Sequence, residues 1–149
     1  MRYRYRKRRA GASTSDWTLA RIGEHIAAGL PLTALFGLDV LLADAERARL
    51  RINAEPQVLR PGSIVAGPIL FAAAAVATYA LILARIGDPD AVTADLTINF
   101  LRAGRNLPLI AEAAPLRAGR RLFSAAVSIT EQDGERRLIA QATTNWALS

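Results

Sequence analysis

From Pro61 to Ala84 the chain runs without a charged side chain, and Arg85 ends the run. A stretch like this has two main fates. It can cross a membrane, which takes about 20 apolar residues, or it can be a helix enclosed by protein on every side. Three features favour enclosure. Pro61-Gly62 and Gly67-Pro68 interrupt the start, so the continuous helix is expected over residues 68–86. The run AAAAVA at 72–77 is rich in small side chains and only moderately hydrophobic. The segments on either side alternate apolar and polar, and a sheet with one apolar face needs a cover.

That alternation is clearest in ERARLRINA, residues 46–54. Ala48, Leu50, Ile52 and Ala54 share one side, while Arg47, Arg49, Arg51 and Asn53 share the other. Pro56 and the RPGS turn at 60–63 end this strand. After the turn Gly87-Asp88-Pro89-Asp90, the segment AVTADLTINFL (91–101) puts Val92, Ala94, Leu96, Ile98 and Phe100 on one face. Residues 107–116, 120–130 and 136–147 alternate similarly. The turns AGRN, RAGRR and QDGER separate the four runs, and Asp-Gly is a strong hairpin signal, so consecutive antiparallel hairpins are expected. Near the N-terminus, Ser15 or Asp16 reads as the cap of a helix through Ala28, with Leu19, Ile22, Ile26 and Leu30 as its apolar face. Glu24 and His25 fall off that stripe, and His25 reads as a surface side chain rather than a base. LTALFG (32–37) makes a short turn into a strand beginning at residue 38. The sum is an α+β fold, an antiparallel β-sheet wrapped around one long apolar central helix, with residues 16–149 as a single domain.

Composition narrows the chemistry. There is no cysteine and one histidine, which argues against a disulfide framework, a thiolate metal site or a His-rich metal cluster, so no metal and no cofactor are expected. The net charge of +6 is local. MRYRYRKRR holds six of the nineteen basic residues, and the remaining thirteen match the thirteen acidic ones. Residues 1–15 therefore read as a basic, disordered tail ending in a short linker, with no apolar segment of the kind a secretory signal requires. Arginines interleaved with Tyr3 and Tyr5 also suit a nucleic acid or an anionic membrane surface, a reading that ranks well below the others.

One helix enclosed by a curved antiparallel sheet is the hotdog arrangement, and three segments carry a closer resemblance. RPGSIVAGPILFAAAAVATYALI, AVTADLTINFLRAGR and APLRAGRRLFSAAVSI are similar, in order and spacing, to hotdog-fold acyl-CoA thioesterases of the phenylacetate-degradation type. The nearest subgroup carries RPGG-x-x-S-G-P before the helix and NINFLR after it. The resemblance spans roughly residues 34–147 and leaves out the tail. It implies that the helix start offers the Gly67 N–H to a thioester carbonyl, where the helix dipole favours developing negative charge. It also implies a carboxylate eight residues further on, as nucleophile or general base.

Position 75 holds alanine. The subgroup reads approximately A-L-A-D-V-A-x-Y where this chain reads AAAAVATY, so Val76, Ala77 and Tyr79 are kept and the acid is gone. Ala66 stands where a histidine is common in the wider family. Asp95 and Glu112 lie mid-strand and do not obviously replace the acid. Thr78 and Tyr79 could order a water without being bases near neutral pH. The resemblance further implies that Asn99, Phe100 and Arg102 border the acyl-CoA channel, and that Arg102, Arg105, Arg120 and Arg121 face nucleotide phosphates. It implies a homodimer or dimer of dimers, since hotdog sites lie between subunits, and a cytoplasmic protein acting on an acyl or aryl thioester. Two versions stay open: a thioester hydrolase in which Ala75 replaces an Asp, naturally or by engineering, and a module that binds acyl-CoA or another apolar ligand without cleaving it.

Overall fold

The computed structural model describes residues 15–53, 55–105, 108–132 and 136–149. The expected tail lies outside the described residues except for Ser15, as do Ala54 and the Asp133-Gly134 turn. Helix α1 (Leu19–Gly29) starts later than expected. Thr18 is its cap, accepting the Arg21 N–H, while the Ser15 hydroxyl accepts the Trp17 N–H instead. Only Ile22 and Ile26 of its apolar stripe are buried, and Leu19 is exposed. A short helix α2 (Leu32–Leu35) follows, then the strands β1 (Leu38–Ala43) and β2 (Ala48–Ile52). On β2 the arginines and apolar residues separate as the alternation required: Ala48, Leu50 and Ile52 are fully buried.

The RPGS turn is itself a hairpin, joining β3 (Leu59–Arg60) to β4 (Ile64–Val65). Gly62 has φ +88° and Ser63 φ +56°. The left-handed conformation suits glycine and costs a residue with a Cβ about 1 kcal/mol. Ser63 thus takes this conformation at the position where RPGG supplies a second glycine. The turn is followed directly by α3 (Gly67–Arg85), which matches the expected central helix to one residue. Its length and hydropathy would let it cross a membrane, yet most of it is buried against the sheet. Leu81, Ile82 and Leu83 lose all solvent contact, each contributing about 1.5–3 kcal/mol of hydrophobic stabilisation.

The last four strands are β5 (Val92–Phe100), β6 (Leu109–Ala118), β7 (Leu122–Glu131) and β8 (Leu138–Ala147). They complete a six-stranded antiparallel sheet of order β1-β2-β6-β7-β8-β5. Two of the expected hairpins form, β6–β7 and β7–β8. The third does not: β6 pairs with β2, and β5 pairs with the far side of β8. The link between β5 and β6 is long enough to cross the end of the sheet. It is pinned there by Leu101 and Arg102 N–H donating to Ile139 O and by Val65 N–H donating to Gly104 O.

β5 is therefore an edge strand, and its apolar face is not covered like those of its neighbours. A bulge between Thr93 and Asp95 breaks the expected alternation. Leu96 and Ile98 still pack on the core, whereas Val92 is 53% and Phe100 54% exposed.

α3 repeats this asymmetry. Between Gly67 and Ala84 the residues that retain exposure are Gly67, Pro68, Phe71, Ala72, Ala75 and Tyr79, in two rows (67 and 71; 68, 72, 75 and 79) spaced three and four apart, while the others are buried. Such spacing places them on one face. A helix apolar all round is thus enclosed on all but one seam, and the seam lies beside the open edge strand.

Candidate active site

The seam begins at the helix start. Pro68 has no N–H, and Ile69 and Leu70 both donate to Ala66 O. The Gly67 N–H, one of the first-turn amides that a helix cannot satisfy internally, has no protein acceptor among the described residues. Ala66 N–H donates to Val58 O, which anchors the chain entering the helix. The Phe100 ring lies over Gly67, where a Cβ would stand in ordinary contact with it at 3.4 Å. Two residues from separate segments of the sequence resemblance meet here.

Two turns further along, the seam opens into a cavity of about 420 Å³. Ala72, Ala75, Val76 and Tyr79 of α3 form its floor, Leu30 and Leu32 one wall, and Ala91, Val92 and Thr93 the other. Ala75, where the resemblance calls for an acid, sits on this lining. His25 and Tyr79 are the titratable groups of the wall.

His25 is a correction to the sequence reading, which placed it on the surface. Its Nε2 is 3.0 Å from the Tyr79 hydroxyl, and that hydroxyl donates to Pro89 O at 2.8 Å. The tyrosine has a single proton and gives it to the carbonyl, so the histidine Nε2–H is the donor to the tyrosine oxygen. Nδ1 then carries the lone pair. Trp17 packs edge-on against the imidazole at 4.9 Å, and the Arg21 guanidinium lies over the indole. Trp146 stacks on Tyr79 with ring centroids 5.7 Å apart. The indole N–H of Trp146 is buried without a protein acceptor among the described residues. No local sequence signal marks His25, because its partner Tyr79 is 54 positions away.

Burial, with the nearby Asp90 and Asp88 carboxylates adding to it, raises the Tyr79 phenol above its ordinary value of 10.0. Above that value the unfolded chain releases the proton while the folded chain retains it, so stability falls as pH rises. The fold is expected to lose melting temperature above about pH 10, and Tyr79→Phe should flatten that loss. A melting series at alkaline pH checks this, and equal slopes for the two proteins would refute it.

The other predicted residues divide. The Thr78 hydroxyl is fully buried and donates to Ala74 O of its own helix, so it cannot order a water in the cavity. Asp95 accepts from Asn145, Glu112 pairs with Arg49, and neither lines the cavity. Asn99 is exposed on β5, paired with Gln141 of β8. Arg102 and Arg105 line a second hollow of about 290 Å³ with Glu131 and Arg137, next to the Phe100 end of β5. Arg137, within 3.5 Å of Glu131, was not anticipated from the sequence. Arg120 and Arg121 lie at the opposite end of the sheet, where Leu148 N–H donates to Arg121 O. One subunit therefore does not gather the four arginines around one phosphate group.

The thioesterase superfamily profile matches residues 62–137. A protein of Saccharolobus solfataricus that carries an esterase name is 32% identical over 112 residues, or 75% of this chain and 73% of its own. Among solved structures, zebra fish thioesterase superfamily member 2 aligns with a TM-score of 0.79 at 22% identity, over 90% of this chain and all of its own. A thioesterase from Haemophilus influenzae aligns at 0.79 with 16% identity, over 91% of this chain and 92% of its own. These two share the fold.

Proposed function

Since the chain belongs to the thioesterase superfamily, we propose that it acts on an acyl or aryl thioester of coenzyme A, in the cytoplasm, at a site shared between two copies. The observation that carries this reading is the seam of α3, with a Gly67 N–H that has no acceptor among the described residues at one end and the apolar cavity at the other.

Gly67 and Ala75 are separated by about 12 Å of helix rise, too far to touch one carbonyl from the same subunit. Their positions beside β5 resolve this. Gly67 lies under Phe100 at the end of the strand, while the cavity reaches Val92 and Thr93 at its beginning. Antiparallel two-fold pairing of two β5 edges reverses the strand direction, so the Phe100 end of one copy meets the Val92 end of the other. The pairing brings one copy's amide to its partner's cavity. It also covers an exposed edge, which stable proteins rarely leave open.

The fit to the phenylacetate-degradation subgroup rests on the RPGS turn, the helix context around Ala75 and the INFLR strand end. Arg102 and Arg105, with Arg137 beside them, suit the nucleotide phosphates as charge-assisted donors. A second reading, binding without cleavage, is favoured by one observation: the methyl group of Ala75 on the cavity lining.

Calorimetry with non-hydrolysable thioether analogues of aryl- and acyl-CoA, alongside thiol release from the matching thioesters, tests both readings. Saturable binding of at least one analogue is expected. Binding with no thiol release would favour the second reading, and no binding across the panel would sink both.

A further inference from the structure

The cavity lacks a carboxylate at Ala75, yet His25 is among the residues that line it. The Nε2–H of His25 is committed to Tyr79, and Tyr79 is fixed in turn by Pro89 O and by its stack on Trp146. This clamp holds the imidazole in one tautomer and leaves Nδ1 as an acceptor with no hydrogen-bond partner among the described residues.

We propose that His25 is the general base of this site, taking the place of the carboxylate absent at position 75. The proposal rests on the thioester reading above. A water in the cavity adds through its oxygen to the thioester carbonyl carbon while His25 Nδ1 takes its proton. The carbonyl oxygen becomes an oxyanion held by the Gly67 N–H of the partner subunit. Collapse re-forms the carbonyl and breaks the C–S bond, and the imidazolium returns the proton to the leaving thiolate. One thioester and one water give one carboxylic acid and one thiol. Tyr79 acts as a positioning residue.

The test uses the full chain. His25→Gln keeps a side-chain N–H for Tyr79 but cannot take up a proton, so kcat for thiol release should fall by about 10²- to 10⁴-fold. Its melting temperature and its affinity for a thioether analogue should stay close to those of the wild type. Added imidazole should partly restore turnover to His25→Ala, a rescue that a purely structural histidine would not show. Turnover by His25→Gln within about threefold of the wild type, against the factor expected of a base, overturns the proposal. So does a wild type that binds the analogue without releasing thiol, which leaves the thioester-binding reading standing. Failure to bind any analogue removes both.

Discussion

Phe71→Asp is expected to yield a folded monomer with no thioester turnover above background. Phe71 is one turn beyond Gly67 on the same face of α3, and its ring is 43% exposed although the helix around it is core. In one subunit the substitution removes little packing, and an Asp near a helix start is favourable. In a β5-to-β5 dimer the same ring is covered, so each copy would bring an unpaired charge into an apolar contact, which is strongly disfavoured. If the Gly67 amide and the cavity that share a carbonyl lie on different copies, as proposed, dissociation dismantles the site. Light scattering, melting and thiol release on one preparation read all three effects. A variant that stays dimeric, or a monomer that keeps full turnover, would refute the shared site.

The second large effect concerns position 75. Ala75→Asp places a carboxylate where the family resemblance calls for one, on a wall that already has a cavity to receive it. If His25 now supplies the base, the gain depends on the background. In His25→Gln the new carboxylate should raise turnover by about 10²- to 10⁴-fold, whereas in the wild type two bases would compete for one task and the gain should be much smaller. The non-additivity is the informative quantity, because residues that act as a unit do not contribute independently. The change should also cost about 1–3 kcal/mol of stability, since a charge enters a lining made of Ala72, Val76, Leu30 and Val92. Equal gains in the two backgrounds would show that the introduced carboxylate and His25 do not serve the same step.

Much of the architecture was legible before any coordinates. On β2, β6, β7 and β8 the side chains alternate, and a period of two forces apolar residues onto one face whatever the strand order. The uncharged run to Ala84 could only be a span or an enclosed helix, and four amphipathic strands left enclosure as the consistent answer. Through resemblance, residues 67 and 75 were also expected to belong to one site.

Strand order was not legible. The run 91–101 looks like the first member of a meander, and nothing in its alternation says that it pairs with β8 rather than β6. Pairing depends on where the connection from Phe100 to Leu109 crosses, which the hydrogen bonds made with Ile139 and Val65 decide in three dimensions. The bulge between Thr93 and Asp95, which turns Val92 away from the core, is likewise a product of pairing with β8.

The amino-acid sequence by itself determined the layers, the central helix and the alanine at position 75, because periodicity and composition act within a few neighbouring residues. Only the tertiary structure decided that β5 stands at an edge, that the helix keeps one open seam, and that His25 faces that seam through Tyr79. Each of these depends on contacts between segments far apart in the chain, and a local pattern carries no record of which distant side chain will be packed against it.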